Sequence, residues 1–180
     1  MKIQLLSVVL PIICLASLAL PPLAAGQDMV NAWGKVTFHT PLAFSPPVEI
    51  GLEAVSLLHP AGSDLGTATM EITLIAVPKE MQESFGNNDE DILAYVKTTF
   101  LALTDPAEAK VRRDFGGKPC TGEKHATTFP RPRNLEIYLL PLSDGDKLLV
   151  ALSRYQGMRE EDMEKVATMI AATLREAPAK

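Results

Sequence analysis

Cysteine is almost absent from this 180-residue chain: the two that occur are Cys14 and Cys120. Cys14 lies in an apolar N-terminal stretch that reads as a removable leader, so one thiol remains. A single thiol closes no internal disulfide, and packing must hold the core. Histidine is equally sparse, with His39, His59 and His125 widely separated. None stands in an His-x-x-x-His, Cys-x-x-Cys or EF-hand pattern, so no metal or other cofactor is expected. The chain also lacks a Gly-x-Ser-x-Gly elbow, a phosphate loop and a dinucleotide fingerprint; Phe115-Gly116-Gly117-Lys118 is too short to serve as one. It has no basic tract and a net charge of −5, which gives no reason to expect nucleic acid as a partner.

What is present at the N-terminus is a processing signal. Lys2 supplies a positive n-region, Leu5 to Leu20 an apolar stretch, and Ala24-Ala25-Gly26 the small residues a signal peptidase reads. Residues 1–26 are therefore expected to be a signal peptide. Retention as a membrane anchor is opposed by Pro11 and by Pro21-Pro22, and a lipoprotein anchor by the absence of small residues before Cys14. Cleavage leaves 154 residues with sixteen basic and twenty-two acidic groups, a net charge of −6. No later segment approaches membrane-spanning length, so an exported, periplasmic or secreted protein without stable membrane insertion is expected.

The mature chain divides into a flexible lead-in over 27–32, one domain over 33–176 and a tail over 177–180. Its organising stretch is Arg133 to Tyr155. Two β-rich runs flank Ser143-Asp144-Gly145-Asp146, and an Asp-Gly pair between such runs signals a hairpin because glycine takes the positive φ of a tight turn. The second run, Lys147 to Tyr155, is apolar on nearly both faces, which suits the centre of a sheet.

Earlier strands are expected over Trp33–His39, within Glu49–His59 and over Thr67–Val77, with a proline-rich loop over Thr40–Pro47. Cys120 to Phe129 reads as a further strand after a Gly116-Gly117 turn. Asn88 to Leu103 reads as a helix capped by Asn88, with Asp89, Glu90 and Asp91 on the positive end of its dipole. A second amphipathic helix runs from about Glu160 to Glu176. The sum is an α+β fold: a mainly antiparallel sheet of about six strands with two helices packed on it.

This β-meander, the helix beginning Asn88-Asp-Glu-Asp-Ile92, the Gly116-Gly117 strand entry, the Asp144-Gly145 hairpin and the closing helix resemble the Mog1/PsbP-like α/β/α sandwich, including its bacterial exported members. The resemblance spans Trp33 to Leu174 and rests on element order, not on a signature motif. It implies a non-catalytic accessory or binding protein.

Candidate contacts come from two places. Leu42 and Phe44 sit in a proline-stiffened loop that either docks on a partner or lids the core. Arg112, Arg113, Lys118, Arg131 and Arg133 fall, with Lys110 and Lys124, in one quarter of an acidic chain. They read either as a patch for an anionic partner or as charge protecting an edge strand. Cys120 is a reactive thiol, the site of a disulfide-linked dimer, or a half-buried apolar residue. His125 lies five residues on, so the two point to opposite faces of a strand. The acid-rich Asn87 to Asp91 suits a helix start better than a calcium loop, which would need a glycine and a distal glutamate. Ser45 and Ser143 are turn formers. The expected function is binding of another protein or envelope component. The alternatives are carriage of a small apolar or anionic ligand, and thiol enzymology at Cys120.

Overall fold

The computed structural model describes residues 29–51, 53–85 and 88–177. The stretch expected to be a signal peptide, the first two residues of the expected lead-in and the last three of the expected tail lie outside them. Ten strands form among the described residues: β1 (Met29–Trp33), β2 (Val36–Thr40), β3 (Val48–Gly51), β4 (Ala54–His59), β5 (Met70–Val77), β6 (Ala109–Phe115), β7 (Lys118–Thr127), β8 (Arg133–Pro141), β9 (Lys147–Tyr155) and β10 (Arg175–Glu176). The helices are α1 (Lys79–Gln82), followed by a 3-10 turn over Glu83–Phe85, α2 (Asp89–Leu101) and α3 (Glu160–Thr173).

Seven strands make one antiparallel sheet in the order β3-β4-β5-β9-β8-β7-β6, and β1-β2-β10 make a small second sheet. β9 is the middle strand of the seven, as its two-faced apolar sequence demands. Leu148, Val150 and Leu152 enter the core beneath α3 and the small sheet, which contributes Val36 and Phe38. Leu149 and Ala151 enter a separate core beneath α2, with Ile92 and Val96. Two helical layers thus enclose the sheet. The β8–β9 turn closes with Gly145 at φ +91°.

The helix ends follow local chemistry. Asn88 Oδ1 accepts the Asp91 N–H at 2.8 Å, and Ala102 in the left-handed region stops α2. The acids expected to favour this helix start do so, with Asp89 paired to Lys147. α3 ends earlier than its periodicity predicts, at Thr173. Leu174 turns extended, and Arg175-Glu176 pair with Thr37 and Val36 of β2.

Two expectations are corrected. Met29–Ala32, assigned to a flexible lead-in, belong to a strand that ends at Trp33 and pairs with β2, and the turn at Gly34, φ +55°, divides the strand expected over Trp33–His39. Within Glu49–His59 the strand expected at Val55, Leu57 and Leu58 forms as β4, and a further strand, β3, folds back on it through a turn where Glu53 takes φ +55°. A seventh strand, β6, precedes the Gly116-Gly117 turn and forms the sheet's far edge. Its alternating charges hid it from a hydrophobic-pattern reading, and those charges suit an edge.

Candidate functional site

The β6–β7 hairpin turns through Gly116 and Gly117, both at positive φ, as a two-residue turn with Phe115 opposite Lys118 requires. The Gly116 N–H donates to Ala171 O at 2.8 Å, and the Arg175 guanidinium occupies the space beside it. That guanidinium donates to Leu174 O and Ala172 O and so caps the end of α3.

β7 then runs toward β8, but the ladder between them covers only Gly122–Thr127 against Arg133–Tyr138. Extending the register would set Thr121 opposite Leu139 and Pro119 opposite Pro141. The strand alternation turns the main chain of Leu139 and Pro141 toward β7, so the Pro119/Pro141 position would be a hydrogen-bonded pair without a donor. The ladder cannot continue, and the sheet forks.

A cavity of about 690 Å³ opens at this fork. Leu93 and Lys97 of α2 line it together with Phe115, Leu140 and Leu174, which belong to the opposite face. Residues from both faces share one cavity because the sheet is interrupted there. Cys120 stands at the apex, with Sγ 3.5 Å from Leu139 O and 3.7 Å from Thr121 O. A thiol is a weak donor, so the Leu139 carbonyl, which lies beyond the last rung, is poorly satisfied by comparison with a ladder bond.

The acids of the cavity are largely engaged. Glu123 accepts from Lys97 Nζ at 2.5 Å and Lys110 Nζ at 2.7 Å, and meets His125 Nε2 at 3.1 Å. Burial alone would raise its carboxyl pKa, but the bonds from Lys110, Lys97 and His125 outweigh that and hold it at about 2. Burial pushes the Cys120 thiol up, against the direction a nucleophilic cysteine needs. His125 faces α2 with Glu123, across the sheet from Cys120, as their spacing predicts.

The sequence-derived contact residues do not assemble. Phe44 is 7% exposed and its ring lies 5.4 Å from that of His59, while Leu42 packs against the same core. The proline-rich loop is a lid on the core; docking through Phe44 would have to uncover it. Ser45 braces this lid, exchanging hydrogen bonds with the Leu58 main chain.

The basic residues separate along the length of β7, whose two ends hold different members. Lys118 is at the cleft. Arg112 is exposed on the edge strand, and Arg113 forms a bidentate pair with Glu164 of α3 at 2.9 and 2.8 Å while also meeting Glu136. The Glu164 carboxylate raises the Arg113 pKa further. At the other end Arg131 lies 4.3 Å over the Tyr155 ring, and Arg133 is buried, donating to Leu101 O at 2.7 Å beside Glu71. One continuous cationic patch is therefore not formed. The fork was not anticipated from the sequence, although prolines at 119 and 141 were its visible signal.

Among the described residues no three His, Cys, Asp or Glu side chains are placed to hold a metal ion. Asp91 is bonded to Asn88 at the start of α2, while Asn87 lies outside the described residues. No described helix is long and apolar enough to cross a membrane.

No protein-family model matches the chain, and no curated protein matches it. Solved structures do. A protein from Bacteroides thetaiotaomicron VPI-5482 aligns over 84% of this chain at 12% identity with a TM-score of 0.50; the chain spans 48% of that protein's length. A mutant of the protein Mog1 aligns over 84% of this chain and 96% of its own, at 10% identity and a TM-score of 0.51. The Ran-binding protein Mog1p of Saccharomyces cerevisiae aligns over the same shares at 10% identity and a TM-score of 0.49. The likeness is one of fold: this chain has the Mog1/PsbP-like α/β/α sandwich.

Proposed function

We propose that this sandwich is an exported, non-catalytic binding domain that recognises a protein partner through the cleft at the β7–β8 fork. The observation that carries the reading is the interruption itself. It leaves the main-chain carbonyls of Leu139 and Pro141 without a ladder donor from β7 beside the apolar side chains of Leu93, Phe115 and Leu174. Unpaired main chain next to apolar surface is what a protein ligand can satisfy by contact.

Export is supported by the n-region, apolar stretch and small-residue site over residues 2–26. A binding role in preference to thiol chemistry is supported by the raised pKa of Cys120 and by His125 lying on the other face of the sheet. Among the described residues the hydrogen bonds of that thiol go to the main-chain carbonyls of Thr121 and Leu139, and to no basic side chain.

The test is photo-crosslinking in the producing cell, with a benzoyl-phenylalanine at position 139 in the cleft and another at the exposed position 161 of α3. A discrete protein adduct from position 139 and none from 161 is expected. The same adduct from both, or none from 139, would contradict the assignment.

Carriage of a small ligand is the second reading, favoured by a volume that falls within the range of small-molecule sites. Native mass spectrometry of the chain recovered from its host separates the two. A retained mass on the monomer supports carriage, and its absence together with the adduct supports the protein partner.

A further inference from the structure

We infer that β1 is a self-association edge. Two copies of this chain join by antiparallel pairing of Met29–Trp33 about a two-fold axis at Asn31, so that the small sheet of one copy continues into that of the next. Among the described residues the cleft at the fork is lined by none from β1, so this surface goes beyond the function proposed for the cleft.

Three observations lead there. The first is which main-chain groups are engaged. Trp33 and Val36 close the two-residue turn at Gly34-Lys35, so their main-chain groups meet across the β1–β2 hairpin. Strand alternation then points the N–H and C=O of Met29 and Asn31 at β2, and those of Val30 and Ala32 away from it. The far side of β2 shows the same alternation: the His39 N–H donates to Thr173 Oγ1 and the Lys35 carbonyl accepts the Ala177 N–H. β1 is the end strand of its sheet, so among the described residues no strand receives Val30 and Ala32.

The second is the contrast with the other sheet edges. Charge, shortness, proline and bulges are the devices that keep an edge from pairing with another chain. β6 carries Lys110, Arg112, Arg113 and Asp114. β3 is four residues long, follows Pro46-Pro47, includes Glu49 and shifts register against β4 between Glu49 and Gly51. β10 is two residues, one arginine and one glutamate. β1 has five residues without a charge or a proline, and each pairs in unbroken register with β2. It is the edge that carries none of these devices, and it leaves Met29 45% and Val30 66% exposed.

The third is the fit of the strand to its own copy. Only outward-facing residues can exchange bonds across the new junction, so Val30 must oppose Ala32 of the second copy, and Asn31 falls on the axis. Each Val30–Ala32 pair then exchanges both of its main-chain bonds. The same register sets the larger Val30 side chain against the smaller Ala32, and the Met29 thioether against the Trp33 indole, a favourable sulfur–aromatic pair. Both exposed apolar side chains thus find a partner within the sequence of β1 itself. Charge points the same way. The chain has a net charge of −5, so two copies repel over most of their surface, and an uncharged strand is where that repulsion opposes contact least.

The test is sedimentation equilibrium of the chain recovered from its host, from about 10 μM to about 1 mM, with amide exchange followed over the same range. A reversible dimer is expected with a dissociation constant of about 100 μM, since one short strand pair is a small interface. Exchange at Val30 and Ala32 should slow as concentration rises, while that of the β3 amides should not change. Val30→Lys should weaken the dimer by about tenfold or more, and Val48→Lys, on exposed β3, should leave it as it is. Both side chains are exposed, and equal melting temperatures of the variants establish that the fold is kept. In a Cys120→Ala background, Asn31→Cys should form a disulfide-linked dimer on mild oxidation and Val48→Cys should not. Facing residues of a non-hydrogen-bonded pair stand about 4.5 Å apart between Cα atoms, within the span of a disulfide.

A monomer throughout the range, a dimer indifferent to Val30→Lys, or equal disulfide yields from Asn31→Cys and Val48→Cys would overturn the inference. So would slowing of Val30 and Ala32 exchange that needs another host protein, which would assign the edge to a strand from that protein instead of a second copy. The cleft is tested apart from this edge: the adduct from position 139 is expected at the same yield in Val30→Lys, and failure of either reading leaves the other standing.

Discussion

The ring of Tyr138 fills the place of the side chain that Gly122 lacks: a Cβ on residue 122 would stand 2.5 Å from Tyr138 Cδ1 and 2.4 Å from Ile137 O. The two residues are direct partners across β7 and β8, and they form the last rung before the sheet opens. An aromatic ring laid over a cross-strand glycine is a known means of pinning register. Tyr138 is anchored beyond the ring, because its hydroxyl donates to Glu136 at 2.7 Å and meets Arg113 Nε at 3.3 Å. The rung therefore ties the edge hairpin to α3 through the Arg113–Glu164 pair, and it fixes where the fork begins.

Gly122→Ala is expected to lower stability by about 3 kcal/mol, read from urea unfolding, because both obstacles are within contact distance and one of them is main chain. Combining it with Tyr138→Ala should not restore stability, since Ile137 O remains in place. A double variant that equals Tyr138→Ala alone would show that the ring is the whole obstacle.

Glu123 gives the stability a defined acid limb. Its folded pKa of about 2 lies below its ordinary value of 4.5, so the stabilisation is fully present above pH 4.5 and is lost as pH falls through 2. Glu123→Gln should cost about 2–3 kcal/mol at pH 7 by unfolding, and the gap to the parent chain should close across that window. A gap that stays constant from pH 7 to pH 2 would mean that the Lys97 and Lys110 pairs contribute nothing through the carboxylate's charge.

Cys120 is expected to react with a water-soluble disulfide reagent at pH 8 about tenfold or more slowly than the same chain in denaturant, because burial holds the thiol in its protonated form. Cys120→Ala should change stability by less than about 1 kcal/mol. Reaction as fast in the folded as in the unfolded chain would revive the thiol reading.

Phe44→Ala should destabilise by about 3 kcal/mol, since the ring is buried in the core under the proline-rich loop. Loss of partner capture in this variant would then follow unfolding. Capture lost at an unchanged melting temperature would restore the loop as a contact surface.

Much of the architecture was legible because it is written in burial. The two-faced apolar run of β9, the Asp144-Gly145 turn, the Asn88 cap and the stripe on α3 each follow from a local rule that packing then reinforces. The errors came where a rule reads polarity and the structure uses something else. Ala109–Phe115 is an edge strand whose charges mimic a loop, and Met29–Trp33 is a short, largely exposed edge of the small sheet that follows directly on Gln27-Asp28. Arg113 and Arg133 look like solvated cations in one dimension, yet their side chains are buried and paired with acids from other strands and from α3.

The site was less legible than the fold because it is made by what two strands fail to do together. Pro119 and Pro141 are unremarkable singly. They matter because an antiparallel register sets them opposite one another, and no single-strand pattern reports a register. Cys120 stands out in the sequence as the one thiol beyond the expected leader. Its place against Leu139 O follows from the register, because that carbonyl lies just past the last rung of the β7–β8 ladder.

The account depends most on the sheet being open below Gly122 and Tyr138, and residue-resolved amide exchange on the free chain measures this directly. Thr121 and Glu123 both point their N–H groups toward β8, but Glu123 is inside the ladder, opposite Ile137, and the Thr121 N–H lies beyond its last rung. The Thr121 amide is predicted to exchange at least about a hundredfold faster than that of Glu123. Thr121 protected as strongly as Glu123 would mean that β7 and β8 stay zipped to their ends, with no cleft for a partner to enter.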